Sequence, residues 1–571
     1  MNIAQHLTDQ AKKHGNKKAI IVAKKISFFK KWFSNAKKNS IYPSITFKDL
    51  EILASKYAYG LKDLNAEKGD RVILFLRPGP EFIAATFALF KCGLVPVFID
   101  PGMGLKNALT CIENVSPKIL ICENEIHYLL PFLIKKFRHL ELIISKTRTF
   151  SPIHFYPGLT KSHLKKMTQI KNISFDAISM QENECAAILF TSGGTGKPKG
   201  VEYSHSIFDL QIKTLQEMFR LTDNDVDLAA FPLFALFTLS MGMTSIVPDM
   251  DPSKPKKSNP KKLYHNIEQL KPTFVAGSPA IWEDLSDFCL QNKLTCDSVK
   301  SLVMFGAPIP IRLHQKFQSI LTSGTTYTPY GATECLPISN FSGSEILKST
   351  KDLTINGRGI CVGRISPHLE IKIIKQQNNQ ILSFDQIEEM MPLAPGEIIV
   401  AGGTVTHKYF QMENETRLAK IHDPKNNKLW HRMGDVGYLD DDGRLWFLGR
   451  AHHVVQTKFE TYYPIAVEAI FNQHPEVYRS ALIPIKNNAN EVTEAAIVIE
   501  RKDREYLRGQ DKSFFESELI KIATKYPHTK NIKQIFYSLE FPVDVRHNIK
   551  IDRQKLAREV QAHLDKFKPL T

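Results

Sequence analysis

No apolar run in this chain is long enough to cross a bilayer. The longest hydrophobic stretch, residues 72–99, is interrupted by Arg77, Pro78, Glu81 and Lys91, whereas a spanning helix needs about 20 nearly uninterrupted apolar residues. The opening Met1-Asn2-Ile3-Ala4-Gln5-His6 lacks the basic-then-apolar layout of a secretory leader. Cysteine is scarce and scattered, eight in 571 residues with no C-x-x-C pair. That argues against a disulfide frame or a zinc site and predicts reduced thiols in a cytoplasmic protein. Acidic residues are outnumbered, 59 against 75 basic, for a formal charge of +16. Such an excess invites nucleic acid, but it is spread along the chain and no nucleic-acid module accompanies it, so no such partner is expected. It concentrates once, in residues 24–38, where six lysines surround Phe28, Phe29, Trp32 and Phe33. This is the composition of a peripheral membrane contact, and equally of an exposed loop with inward aromatics. With 43% apolar residues the chain can bury sizeable cores, and its length calls for at least two domains.

The common nucleotide loop is missing too. No glycine stands five residues before Gly196 or Gly200, and Pro198 follows Gly196-Lys197, so G-x-x-x-x-G-K-[ST] fails. In its place stands Thr191-Ser192-Gly193-Gly194-Thr195-Gly196-Lys197-Pro198-Lys199-Gly200, directly after the apolar run Ala186-Ala187-Ile188-Leu189-Phe190. A buried strand ends where hydroxyls and glycines begin. The glycines let bare backbone approach a ligand. Hydroxyls and two ammonium groups converging on that backbone suit a polyphosphate better than they suit a plain surface loop.

The flanking periodicity predicts an α/β fold. An amphipathic helix over residues 46–64, a strand at 72–76, a helix at 81–92 and a strand at 94–99 make a parallel βαβ unit. Further strands are expected at 118–122 and 142–145, and a helix at 205–220; residues 137–171 read as a basic, variable excursion. Two later segments carry chemistry. Tyr327-Thr328-Pro329-Tyr330-Gly331-Ala332-Thr333-Glu334 offers an aromatic face for a purine, a hydroxyl for a phosphate and a carboxylate for Mg²⁺. In Trp430-His431-Arg432-Met433-Gly434-Asp435-Val436-Gly437 a carboxylate between glycines can accept both hydroxyls of a ribose.

These three motifs, in this order, closely resemble those of the adenylate-forming superfamily of acyl-CoA synthetases, luciferases and peptide-synthetase adenylation domains, with Gly194 replacing a hydroxyl usual in its loop. The resemblance spans nearly the whole chain. It implies a large adenylation domain of parallel-type sheets and helices over residues 1–449, a hinge, and a small mobile α+β lid over residues 450–571. It implies ATP and Mg²⁺. Thr191, Ser192, Gly193, Gly194, Thr195, Gly196, Lys197 and Lys199 would hold phosphates, and Gly306, Ala307, Pro308, Tyr330, Gly331, Ala332 and Thr333 the adenosine side. Asp435 and Arg450 would hold ribose, and Glu334 the metal; Lys550, Glu334 and Thr191 are the catalytic expectations. An ammonium such as Lys550 would balance charge on the carboxylate and α-phosphate oxygens.

The acyl pocket is expected at Phe231, Phe234, Phe237 and Gly242. The wording there, and Arg546-His547-Asn548-Ile549-Lys550-Ile551 near the end, resembles one subgroup, the β-lactone synthetases of bacterial long-chain olefin biosynthesis. Phe459 stands by position where acyl-CoA synthetases keep a glycine beside the pantetheine channel, and a ring there would block a thiol. The resemblance thus implies activation of a long-chain 2-alkyl-3-hydroxy acid as acyl-AMP, followed by attack of its own hydroxyl, with His205, Arg546 or His547 as candidate base. Other olefin-pathway enzymes are the implied partners. The rival is an acyl-CoA ligase using CoA; a reading from another class is a non-catalytic acyl- or nucleotide-binding protein.

Overall fold

The computed structural model describes residues 2–23, 42–149, 158–191, 198–486, 493–505, 509–542 and 551–566. Two predominantly parallel sheets form the first part. One runs, in spatial order, Thr160–His163, Leu142–Ser145, Ile119–Cys122, Arg71–Phe75, Val95–Phe98, Cys185–Thr191, Lys199–Ser204, parallel except for the last pair. The other runs Thr325–Tyr327, Ser301–Met304, Phe274–Gly277, Val226–Ala229, Thr244–Val247, Lys18–Val22, Ser44–Thr46, again with only the last pair antiparallel. Alternation of apolar strands with helices produces this arrangement, because each crossover helix covers a sheet face.

Helix Phe47–Asp63 starts where Thr46 accepts the Asp49 N–H, which satisfies one of the free donors of the first turn. Helix Pro80–Lys91 is buried along its whole length. Both helices belong to a core that also takes Val72, Leu74 and Tyr203 from the first sheet and Ile20, Phe274 and Val303 from the second. Even Lys91 is enclosed, its Nζ bonded to Glu51 Oε1 at 2.7 Å, Thr8 Oγ1 at 3.1 Å and Phe175 O at 3.0 Å.

A third, antiparallel sheet follows in the order Tyr330–Ala332, Cys335–Asn340, Ile360–Ile365, Arg444–Arg450, Lys428–Leu439, Gly396–Gly402, Leu369–Ile374, with Lys420–Asp423 on the flank of Lys428–Leu439. The last part of the chain has its own sheet, Val477–Lys486, Thr493–Arg501 and Gln534–Tyr537, and its own cores.

The expected strands and helices occur within one or two residues of their predicted bounds. The excursion read at 137–171 is different: Leu142–Ser145 and Thr160–His163 extend the first sheet to its edge. The second of these, Thr-Lys-Ser-His, is too polar to announce itself as a strand; backbone pairing with Leu142–Ser145 makes it one. No helix among the described residues is long and apolar enough to cross a membrane. The segment 24–38, and with it the membrane contact read there, lies outside the described residues.

Candidate active site

Strands Cys185–Thr191 and Lys199–Ser204 pair antiparallel with Thr191 opposite Lys199. Those two residues therefore stand at the base of the glycine-rich loop. Ser192, Gly193, Gly194, Thr195, Gly196 and Lys197 lie outside the described residues, as does Lys550 with Arg546 and His547.

One segment ties that hairpin to the Glu334 turn. Residues 404–410 pair with the hairpin through Val201 and Tyr409 and with the third sheet through Cys335 and Val405. Phe410 N–H donates to Gly200 O at 2.7 Å. At the other end Thr406 donates twice to the Glu334 carbonyl, from N at 2.9 Å and from Oγ1 at 3.1 Å. Tyr409 closes the group: its hydroxyl donates to Glu334 Oε1 at 2.7 Å, and Lys199 Nζ stands 4.9 Å over its ring. Burial, then the neighbouring Glu334 charge, push the Tyr409 hydroxyl far above its usual range, so it stays a donor.

A second carboxylate sits nearby. Asp435 is buried on strand Lys428–Leu439. Its Oδ2 accepts from Tyr330 at 2.7 Å and its Oδ1 lies 2.9 Å from Arg450 Nη1. Both carboxylate oxygens are thus engaged within the protein, one by a phenol and one by a guanidinium. Burial raises the Asp435 carboxyl above the ordinary range, against the pull of Arg450. Gly331, between Tyr330 and Ala332, is required by crowding: a Cβ there would come within 2.8 Å of Cys335 O.

The three phenylalanines expected at the acyl pocket come together. Phe234 stacks on Phe305 at 5.4 Å and lies 6.0 Å from Phe237, while Phe231 meets Phe305 edge-on at 5.6 Å. All are partly exposed, as walls of a binding space would be. Phe305 immediately precedes Gly306, Ala307 and Pro308, which leave the end of strand Ser301–Met304; Gly306 has φ +95°. Gly242 is not part of this group. It turns the chain after helix Phe234–Ser240 at φ +83°, and a Cβ on it would meet Gln10 Oε1 at 2.5 Å.

Two other expectations are corrected. Phe459 is 87% exposed, beside Lys458 on the turn between the strands Val455–Gln456 and Thr461–Tyr462, so in this arrangement it closes no channel. His205 is buried at the start of its helix, where Nδ1 accepts the Ile3 N–H at 3.2 Å. Burial lowers it to about 4, and its packing is with the N-terminal segment. Sequence reading missed Thr406, Tyr409 and Lys420. Nothing local marks them, because the contacts that tie them to the site reach from Lys420 to Thr406, from Thr406 to Glu334 and from Tyr409 back to Lys199.

The donor chemistry fits MgATP. Glu334 offers a hard oxygen ligand of the kind Mg²⁺ takes alongside substrate phosphates, and Asp435 offers a buried carboxylate beside the Arg450 guanidinium. Among the described residues no group of three or more His, Cys, Asp or Glu gathers to hold a metal by itself.

Sheet order, hairpin and paired carboxylates define an enzyme of the adenylate-forming class. The family described as AMP-binding enzyme matches residues 7–410, and the chain belongs to it. Among individual proteins, the olefin beta-lactone synthetase of Xanthomonas campestris pv. campestris is 35% identical over 528 residues, 90% of each chain. That of Stenotrophomonas maltophilia is 34% identical over 529 residues, 92% of each. The ATP-bound structure of MatB from Rhodopseudomonas palustris superposes with a TM-score of 0.75 at 19% identity, covering 99% of both chains.

Proposed function

We propose that this enzyme activates a long-chain 2-alkyl-3-hydroxy acid with ATP and closes it to a β-lactone. The observation that carries the reading is the similarity of at least 34% over nine-tenths of the chain to two olefin beta-lactone synthetases. The substrate carboxylate attacks the α-phosphorus, the bond to pyrophosphate breaks, and acyl-AMP forms. The substrate's 3-hydroxyl then attacks the acyl carbon and loses its proton as the bond to AMP breaks. An intramolecular nucleophile acts at high effective concentration and needs no thiol.

In this reading Thr191, Lys199 and the loop between them hold the phosphates, and Asp435 with Arg450 holds the ribose hydroxyls. Gly306, Ala307, Pro308 and residues 330–333 border the adenosine, Glu334 binds Mg²⁺, and Lys550 balances charge at the α-phosphate. Phe231, Phe234 and Phe237 face the acyl chain. Mg²⁺ held there would supply charge neutralisation on the phosphates. The division into an adenylation domain, residues 1–449, and a lid, residues 450–571, belongs to the same proposal. So do a cytoplasmic setting, with or without membrane contact through residues 24–38, and association with other olefin-pathway enzymes. The exposed Phe459 no longer argues against CoA, so the experiment must decide that point.

The test is product analysis with ATP, Mg²⁺ and a racemic 2-alkyl-3-hydroxy long-chain acid, with and without CoA. β-Lactone and AMP formed without CoA are expected. Acyl-CoA formed only with CoA, and no lactone, would transfer the enzyme to the ligase reading.

A further inference from the structure

Lys420 opens the short strand Lys420–Asp423, directly opposite His431. Its side chain is buried, and Nζ donates to the carbonyl of Thr406, the residue whose N–H and hydroxyl hold Glu334. Among the described residues no carboxylate stands at ion-pairing distance from it. A lysine enclosed without a counter-ion is costly to fold around, and such groups cluster where a charge is used.

The surroundings show which charge it answers. His431, buried opposite, is held neutral by burial and by Lys420 itself. Burial also lowers His407 on the overlying segment, and pushes the Cys335 thiol up to about 12. Lys199 Nζ stands 4.9 Å over the Tyr409 ring, and Lys408 is paired with Glu202 at 3.4 Å. Glu334 is the anion whose field acts on Lys420, opposing the burial that draws it down to about 7.

We propose that Lys420 is a positioning residue for MgATP. Its Nζ braces the Thr406 carbonyl from behind, and Thr406 in turn holds the Glu334 turn, so that the carboxylate stays aimed for metal-bound phosphates. Through Tyr409 the same segment carries Lys199, so one buried donor aligns both Glu334 and Lys199 of the phosphate site. The inference rests on the carboxylate-activating reading.

The test is titration calorimetry of ATP at graded Mg²⁺ concentrations with Lys420→Met and Lys420→Gln, beside carboxylate-dependent ATP–pyrophosphate exchange. Met keeps the shape without charge; Gln also keeps a donor for Thr406. Both variants are expected to fold; Lys420→Met should need roughly tenfold more Mg²⁺ for half-maximal ATP binding, the scale of one charge-assisted contact, and Lys420→Gln should recover most of that loss. A brace of the core alone would lower thermal stability and leave the Mg²⁺ dependence untouched. Unchanged Mg²⁺ dependence in folded Lys420→Met therefore overturns the proposal, and so does failure of both variants to fold. If the unsubstituted protein shows no carboxylate-dependent exchange, the functional reading fails instead, and calorimetry still reads the role of Lys420.

Discussion

Phe234 and Phe305 stack with ring centres 5.4 Å apart and planes 19° from parallel. Phe234 begins the helix that follows the second sheet's Val226–Ala229 strand; Phe305 follows strand Ser301–Met304 and precedes Gly306. The segment expected at the acyl chain and the segment expected at the adenosine are thus joined at Phe305, which meets both Phe234 and Phe231. A carboxylate bound at one would lie next to a nucleotide bound at the other. Phe234→Ala should accordingly raise the KM for the acid about tenfold, the cost of losing roughly 1–2 kcal/mol of aromatic contact. ATP affinity, measured separately by calorimetry, should change little.

Asp435→Asn tests the ribose contact proposed for this carboxylate. The carboxylate accepts from Tyr330 and pairs with Arg450, and an amide keeps the shape while removing the charge. Hydrogen bonds to charged groups contribute about 1.5–3 kcal/mol. ATP binding is therefore expected to weaken by roughly 10- to 100-fold, with the thermal midpoint nearly unchanged.

Arg553→Met addresses the last part of the chain. Glu468 is buried, and Arg553 Nη2 lies 2.8 Å from both of its carboxylate oxygens, while Leu482 N–H donates at 2.9 Å. Removing the arginine leaves a buried carboxylate uncompensated, at a cost of about 3–5 kcal/mol. Burial already raises the Glu468 carboxyl above its usual range. The deficit should therefore shrink as pH falls and the carboxyl takes up a proton. Hydrogen exchange in Val477–Lys486 and Thr493–Arg501 would report it.

His314 gives a pH dependence. It is buried, with Nδ1 at 2.7 Å from Thr326 Oγ1, and burial lowers it from 6.5 to about 4. A base whose folded pKa is lowered contributes its full stability above the unfolded pKa and loses it as pH falls toward the folded one. Between pH 6.5 and 4 the loss should reach about 3 kcal/mol. Denaturant unfolding at several pH values would show a shallower acid slope in His314→Leu than in the unsubstituted protein.

The parallel sheets were legible because their strands, covered on both faces, are written as short apolar runs separated by helices of period 3.6. The site segments were legible because glycine, hydroxyl, lysine and carboxylate stand close together within each of them. Thr160–His163 was not, since its strand state comes from a neighbour's backbone and not from its own side chains. Phe459 and His205 were misjudged for a related reason: position along the chain does not tell whether a ring faces solvent or an N–H donor. Local spacing was sufficient for the class of the enzyme, and it singled out Thr191, Glu334 and Asp435 as candidates for its site. The partnership of Glu334 with Thr406 and Tyr409, and the buried ammonium of Lys420 behind them, arose only from folding, because these contacts join residues more than 70 positions apart or enclose a charge that every sequence rule places in water.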